Sequence, residues 1–147
     1  MAGIYAHVRD NARTPMQWTG GKNAGFSQAR PWLPVNPNHA EINAQAALAD
    51  PDSVFYFYQT LIALRKRYPV FREGAFTLLN PEDEAVFAYT RDTHEEHLLV
   101  VCNFTAREQP EVCPEAFRGA QVLAANYAGP SGVLRPYETR MLYCRTV

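Results

Sequence analysis

The first forty residues constrain this chain most, because they carry no apolar repeat at either the two-residue or the 3.6-residue period over any useful length. They are rich in Pro, Gly, Asn and Arg, residues that interrupt regular structure. Irregular stretches of this size are uncommon inside compact domains, and ordered ones are usually functional loops held by something else. A long irregular segment that relies on a neighbouring scaffold is therefore expected over residues 1 to about 40.

Regular structure begins after it. A short helix is expected over Asn43 to Leu48. Asp50, Pro51 and Asp52 then supply an N-cap, a first-turn proline and a carboxylate favoured by the helix dipole, so a longer helix is expected to start there. Its apolar side chains Phe55, Phe57, Tyr58, Leu61, Ile62 and Leu64 cover about half the circumference at 100° per residue. Arg65, Lys66 and Arg67 suit its C-terminal end, and Tyr68-Pro69 terminates it. Arg65 falls inside the apolar arc, so its guanidinium should either snorkel or pair with a buried acceptor, a structural ion pair being the favoured expectation. An arc this broad belongs to a helix covered by other layers.

Beyond Phe71 the pattern turns to β. Short β-branched or aromatic runs occupy Ala75 to Leu79, Ala85 to Arg91, His97 to Phe104, Val122 to Ala125 and Thr139 to Cys144. Asn80 to Glu84 and Asp92 to Glu96 read as hairpin loops. The unbroken run Leu98-Leu99-Val100-Val101 suggests a strand covered on both faces. The fold class is thus α+β, mainly β: an irregular segment and one long helix, then an antiparallel sandwich of roughly six to eight strands.

Composition removes several function classes. The chain has 147 residues, 47% of them hydrophobic, and a net charge of −1, enough apolar content for a core and no basic footprint for nucleic acid or an anionic membrane. Cys102, Cys113 and Cys144 have no metal or redox spacing and read as reduced, packed thiols. No apolar leader is present and no run approaches the ~20 residues that span a bilayer. A soluble, cytoplasmic chain is expected. His7, His39, His94 and His97 lack ligand spacing and read as surface or loop residues, so neither a metal nor a cofactor is expected.

The string Arg9-Asp10-Asn11-Ala12-Arg13-Thr14-Pro15-Met16-Gln17-Trp18, followed by Asn23-Ala24-Gly25-Phe26-Ser27, resembles the oligo-1,6-glucosidase and α-glucosidase branch of the α-amylase superfamily, glycoside hydrolase family 13. The likeness continues through Pro31-Trp32, Val35 to Asn38, Glu41-Ile42-Asn43, Asp52-Ser53-Val54 and Leu61 to Lys66. It is weaker beyond, through Leu98 to Thr105 and Leu134 to Glu138. The resemblance implies a (β/α)₈ barrel followed by a β-sandwich. Residues 1 to about 49 would be the loop after the eighth barrel strand, Asp50 to Arg67 the last barrel helix, and Phe71 to Val147 the sandwich. Two regions follow, 1–69 as the barrel remnant and 70–147 as the C-terminal domain.

Barrel active sites lie at the C-terminal ends of the strands, so such a loop would border the pocket. By resemblance Arg9 reaches the terminal glucose, where a planar cation with several donors holds hydroxyls or a pocket carboxylate. Asp10 would orient it. The alternative is that Arg9, Asp10 and Arg13 form a salt-bridge network that only stiffens the turn. Trp18 and Trp32 could face sugar rings, but packing is the expectation for both.

Retaining glycosidases use two carboxyl groups about 5 to 5.5 Å apart. In the family these, and a third carboxylate, precede the matched string, so no catalytic residue is assigned here. The acids from Glu73 onward, Glu96, Glu111 and Glu138 among them, read as solvated surface charge. The expected function is the C-terminal fragment of an α-glucosidase acting on terminal α-1,6 or α-1,4 bonds of oligosaccharides, inactive alone. The alternative is a stand-alone carbohydrate-binding or structural module. Expected partners are the oligosaccharide in the context of the parent enzyme, the missing barrel portion, and a second copy through the uncovered helix face.

Overall fold

The computed structural model describes residues 13–129 and 131–146, and the chain divides into one unit ending at Thr60 and another starting at Leu61. In the first, hydrogen bonds replace an apolar core. Of its described residues only Pro15 and Ala24 are buried. The backbone N–H groups of Trp18 and Thr19 both donate to the Ala24 carbonyl, and those of Ala44 and Gln45 donate to the carbonyls of Gln17 and Trp18. The Gln17 amide donates to Asn38 Oδ1 at 3.0 Å and also to the Ile42 carbonyl. Asn23 and Ala24 have positive φ, 53° and 56°, and a Cβ on Gly25 would sit 2.8 Å from Thr19 Oγ1. The turn therefore requires glycine at that third position.

Helix α1, Ala44–Ala49, forms as expected, with the Asn43 side chain accepting from the Ala46 N–H. Helix α2 spans Val54–Arg67, four residues later than the expected start at Asp50. Asp50 caps a turn instead: its Oδ1 accepts from Asp52 N–H at 3.0 Å and its carbonyl from Ser53 N–H at 3.1 Å. Asx turns of this kind compete with a helix start. Arg65 also departs from the favoured expectation. It is exposed and donates to the Phe71 carbonyl at 3.2 Å, and among the described residues it has no carboxylate partner. Its guanidinium remains in water, where pairing offers little.

After Pro69 a short helix not anticipated from sequence, α3 at Val70–Glu73, leads into the sheet. Strands β1 (Ala75–Leu79), β2 (Val86–Asp92), β3 (Glu96–Asn103), β5 (Gln121–Ala125) and β7 (Thr139–Arg145) form one antiparallel sheet in the order β1-β2-β3-β7-β5. A second layer consists of β4 (Gln109–Pro110) paired with β6 (Val133–Leu134). The seven strands among the described residues lie within the expected number, but the layers are unequal. Pro110 and Pro114 interrupt the segment after β3, and a residue without an N–H cannot extend a ladder. Asp83 fixes the β1–β2 hairpin by accepting from the N–H groups of Ala85 and Val86, both at 2.9 Å.

Strand β3 is central and buried on both sides. Leu99 and Val101 join Val86, Ala88, Phe117 and Leu134 on one face. Leu98 and Val100 join Val70 and Tyr143 on the other. Each Val, Leu or Phe side chain among them contributes roughly 1.5–3 kcal/mol when fully buried. Gly74 allows α3 to turn tightly into β1, since a Cβ there would lie 2.7 Å from the Val70 carbonyl oxygen.

Glu138 and Glu96, read from sequence as surface charge, are buried, Glu138 completely. Glu138 Oε2 accepts from the Arg135 N–H and Nε at 2.8 and 2.9 Å, and Oε1 accepts from Arg140 Nε at 2.6 Å. Arg140 in turn reaches Glu111 at 2.7 Å. Tyr137, between these groups, holds φ of 55°, a conformation costly for a bulky side chain and maintained here by the anchored Glu138. Glu96 accepts from Val70 N–H, Tyr143 O–H and Arg145 at 3.0, 3.0 and 3.1 Å. Burial raises the Glu96 carboxyl, but these donors outweigh it and the net direction is down. Charged groups this deep need such partners, which alternation of residue types cannot reveal.

The hydrogen bonds from Arg135, against the cost of burial and with help from Arg140, lower Glu138 from 4.5 to about 2. A carboxyl depressed in the folded state gives its full stabilisation above the unfolded value and loses it as pH falls toward the folded one. Urea unfolding between pH 5 and pH 2 should therefore show a loss of about 3 kcal/mol from this group. Glu138→Gln should be less stable at neutral pH and show a shallower acid slope; equal slopes would mean that Glu138 is not held charged.

Candidate functional site

Arg9 and Asp10 lie outside the described residues, so the description of the predicted sugar-binding loop begins at Arg13, which is exposed. Beyond it the matched string serves the loop's own architecture. Gln17, Asn23, Asn36, Asn38 and Asn43 each bond to backbone or to one another: Asn23 Nδ2 donates to the Ser27 and Ala29 carbonyls, both at 3.0 Å, and Asn43 Nδ2 to the His39 carbonyl at 2.9 Å. Asparagine suits this work because one short side chain both donates and accepts. Ser53 Oγ and Tyr56 Oη donate to the carbonyls of Ala47 and Leu48 at 2.6 and 3.0 Å. Many residues carrying the resemblance thus fix the loop's own shape.

The expected packing of the two tryptophans is not made among the described residues. Trp18 is 52% exposed and Trp32 85%. Only Pro15 and Ala24 among the described residues of this unit are buried, so they form no core for an indole to enter. A depression of about 230 Å³ in the same unit is lined by Asn23, Arg30, Pro31, Val35 and His39. His39 Nδ1 lies 3.0 Å from the Asn36 carbonyl oxygen.

The second unit has a larger concavity, about 560 Å³, with walls from Phe117, Val122, Tyr127 and Leu142 and a floor from Glu138 and Arg140. Both floor charges are already engaged. Arg140 bonds Glu138, Glu111, Ser131 and the Val133 carbonyl, so the hollow presents apolar walls without a poised acid and base. Tyr127 lies under Arg135, whose guanidinium carbon is 4.3 Å from the ring centroid. Cys113, also in the wall, is raised by burial and by Glu111, which disfavours the reactive thiolate.

His97 is more than a loop histidine. It sits half-buried on β3 with Nδ1 2.8 Å from Asp92 Oδ1 and Nε2 2.7 Å from Thr146 Oγ1, while Thr90 Oγ1 donates to Asp92 Oδ2 at 2.6 Å. These contacts tie β2, β3 and the residue after β7 together. The half-exposed His97–Asp92 hydrogen bond contributes a modest amount, about 0.5–1.5 kcal/mol. Asn103, inside the matched run Leu98 to Thr105, is fully engaged too: it donates to the carbonyls of Arg107 and Arg135 at 2.7 and 2.9 Å and accepts from Thr105 N–H at 2.9 Å. Among the described residues no group of three His, Cys, Asp or Glu could hold a metal ion, and no helix is long and apolar enough to cross a membrane.

Over the described residues the geometry is therefore that of a hydrogen-bonded loop without an apolar core, followed by a sheet domain whose buried acids, Glu96 and Glu138, are structural. Comparison with known proteins accounts for this combination. The family model of the α-amylase catalytic domain matches residues 2–74, and that of the maltogenic amylase C-terminal domain matches residues 76–123. An oligo-1,6-glucosidase of Halalkalibacterium halodurans is 46% identical over 96% of the chain and 27% of that protein. A trehalose-6-phosphate hydrolase of Bacillus subtilis is 42% identical over 92% of the chain and 26% of its own length. Among solved structures, the trehalose-6-phosphate hydrolase of Bacillus licheniformis superposes with a TM-score of 0.86 at 38% identity, over 94% of this chain and 26% of that one. The trehalulose synthase of Pseudomonas mesoacidophila does so at 0.83 and 39%, over 92% and 26%. The chain spans about a quarter of the length of these relatives. It belongs to the α-amylase superfamily and corresponds to the C-terminal portion of its α-glucosidase and oligo-1,6-glucosidase-like members.

Proposed function

We propose that this chain is the C-terminal part of a cytoplasmic α-glucosidase that hydrolyses terminal α-1,6 or α-1,4 glucosidic bonds of oligosaccharides. The observation that carries the reading is the 46% identity to an oligo-1,6-glucosidase across 96% of the chain. In this reading residues 1–69 complete the barrel, 70–147 form the C-terminal domain, and Arg9, oriented by Asp10, holds the terminal glucose. The guanidinium offers five donors in a fixed plane, suited to paired hydroxyls or to a pocket carboxylate. The nucleophile and the acid–base carboxyl, about 5 to 5.5 Å apart in a retaining enzyme, belong to the upstream portion. In this reading the pocket that orders Arg9 is completed by the upstream portion, so without it positioning contributes nothing to catalysis. Three free, half-buried cysteines support the cytoplasmic location.

The helix supports the need for a partner. Val54, Phe55, Phe57, Tyr58 and Ile62 on α2 are between 42% and 73% exposed, the arc that sequence patterning assigned to a covered helix. The upstream barrel is the proposed cover, and in its absence the face drives self-association. Light scattering should find a dimer or larger species for the purified chain; a monodisperse monomer across the micromolar range would refute self-association.

The activity itself is tested with p-nitrophenyl α-glucoside. The chain alone should release no nitrophenol. Mixed or co-folded with the upstream polypeptide of the Halalkalibacterium relative it should do so, and Arg9→Ala should reduce that activity by roughly a hundredfold, the scale of a lost charged substrate contact. An assembled but inactive mixture would overturn the reading in favour of a carbohydrate-binding or structural module.

A further inference from the structure

The two layers of the sheet domain are so unequal that a hollow remains between them. One layer has five strands, while the other is β4 and β6 with two residues each, too little to cover the whole face. Val122 on β5 pairs with Leu142 on β7 and so shares its face, yet Val122 is 57% exposed. Between these strands and Phe117 lies the concavity of about 560 Å³. That is the size of small-molecule sites, which are mostly apolar with a few placed polar groups. Its surface is held in place from behind. Glu138 and Arg140 are buried and bond at 2.6 Å, and Arg135 covers one face of the Tyr127 ring in the wall.

The polar groups of the hollow decide what fits it. Its floor charges are already paired, so a sugar ring would find few partners for its hydroxyls, and burying hydroxyls without partners is costly. Two other lining groups keep bonding capacity. Glu111 gives Oε1 to Arg140 at 2.7 Å, while its Oε2 has no partner among the described residues. Arg118 is exposed, lies 3.7 Å from Glu115 and makes no hydrogen bond among the described residues. Burial raises the Cys113 thiol, Glu111 raises it further and Arg118 lowers it, so both charges act on one point of the wall. An anionic acceptor and a cationic donor thus flank an apolar hollow. The surrounding charges also balance: Arg135 and Arg140 offset Glu111 and Glu138, and Arg118 offsets Glu115. A ligand with a net charge would upset that balance, whereas a zwitterion with an apolar body would not.

We infer that this hollow is a binding site for a free α-amino acid with an aromatic or large aliphatic side chain, its ammonium on Glu111, its carboxylate on Arg118 and its side chain against Phe117, Val122 and Leu142. A guanidinium can hold a carboxylate through two parallel N–H donors, and Glu111 accepts from an ammonium through the oxygen that Arg140 does not use. The site binds without reacting. It goes beyond the glucosidase reading and does not depend on it, since every residue that forms it lies between Glu111 and Leu142.

The test is calorimetric titration of the purified chain with L-phenylalanine, phenethylamine and maltose. L-Phenylalanine should bind saturably at one site per chain with a Kd on the order of a millimolar, the scale expected for so small a ligand. Maltose should give no saturable heat. Arg118→Ala, at an exposed position that leaves the fold intact, should weaken L-phenylalanine roughly tenfold and leave phenethylamine, which has no carboxylate, unchanged. Val122→Trp should fill the hollow and abolish binding of both. The inference is overturned by the absence of saturable L-phenylalanine binding to the parent chain, or by Arg118→Ala weakening both ligands equally. Undiminished binding to a folded Val122→Trp chain would place the ligand elsewhere and refute it too, and saturable maltose binding that Val122→Trp removes would make the occupant a sugar. Absence of glucosidase activity on assembly would leave these outcomes untouched.

Discussion

The burial of β3 on both faces is the constraint from which the second unit is built. Leu98 and Val100 point one way, Leu99 and Val101 the other, so β3 can only be a central strand, with β2 and β7 as its partners. That requires a cover on each side. One comes from Phe117, in the segment between β4 and β5, and from Leu134 in β6, and the other from Val70 as the chain enters the sheet. The buried acids follow from the same demand. Glu96 receives Val70 N–H, and Glu138 holds the turn that delivers Arg140 and β7, so each carboxylate fastens a cover to the strand beneath it.

The first unit obeys a different rule. Its turns are specified by asparagine and glutamine side chains and by left-handed backbone at Asn23, Ala24 and Gly25, not by apolar contact. Hydrogen bonds of this kind contribute only about 0.5–1.5 kcal/mol each in water, while Trp32, Ile42, Val54 and Tyr58 remain more than 60% exposed. A segment that specifies its shape so closely and buries so little is suited to being one wall of a larger structure. The matches to whole enzymes nearly four times as long are consistent with that.

Legibility from sequence divides along the same line. Strands β1, β2, β3 and β7 were located within a residue or two, because alternation and turn residues report directly on a sheet. The two-residue strands β4 and β6 and the four-residue helix α3 were not, since elements that short carry no period. The start of α2 was misplaced because Asp50 can cap a turn as readily as a helix. Glu96 and Glu138 were misread as solvated because their partners, Tyr143 with Arg145 and Arg135 with Arg140, become neighbours only through strand order or a tight turn. Arg9 and Asp10 came from resemblance alone, since no pattern within a loop identifies what it faces.

Hydrogen exchange tests the central claim, that the segment up to Thr60 is one wall of a larger body. In the isolated chain the amides of Trp18, Thr19, Ala44 and Gln45 should exchange far faster than those of Leu98 to Val101, since local opening is easy where few apolar contacts oppose it. On assembly with the upstream polypeptide the first group should become slow and the second should not change. If Trp18 and Ala44 were already as protected as Leu99 in the isolated chain, the segment would be self-sufficient and the account contradicted.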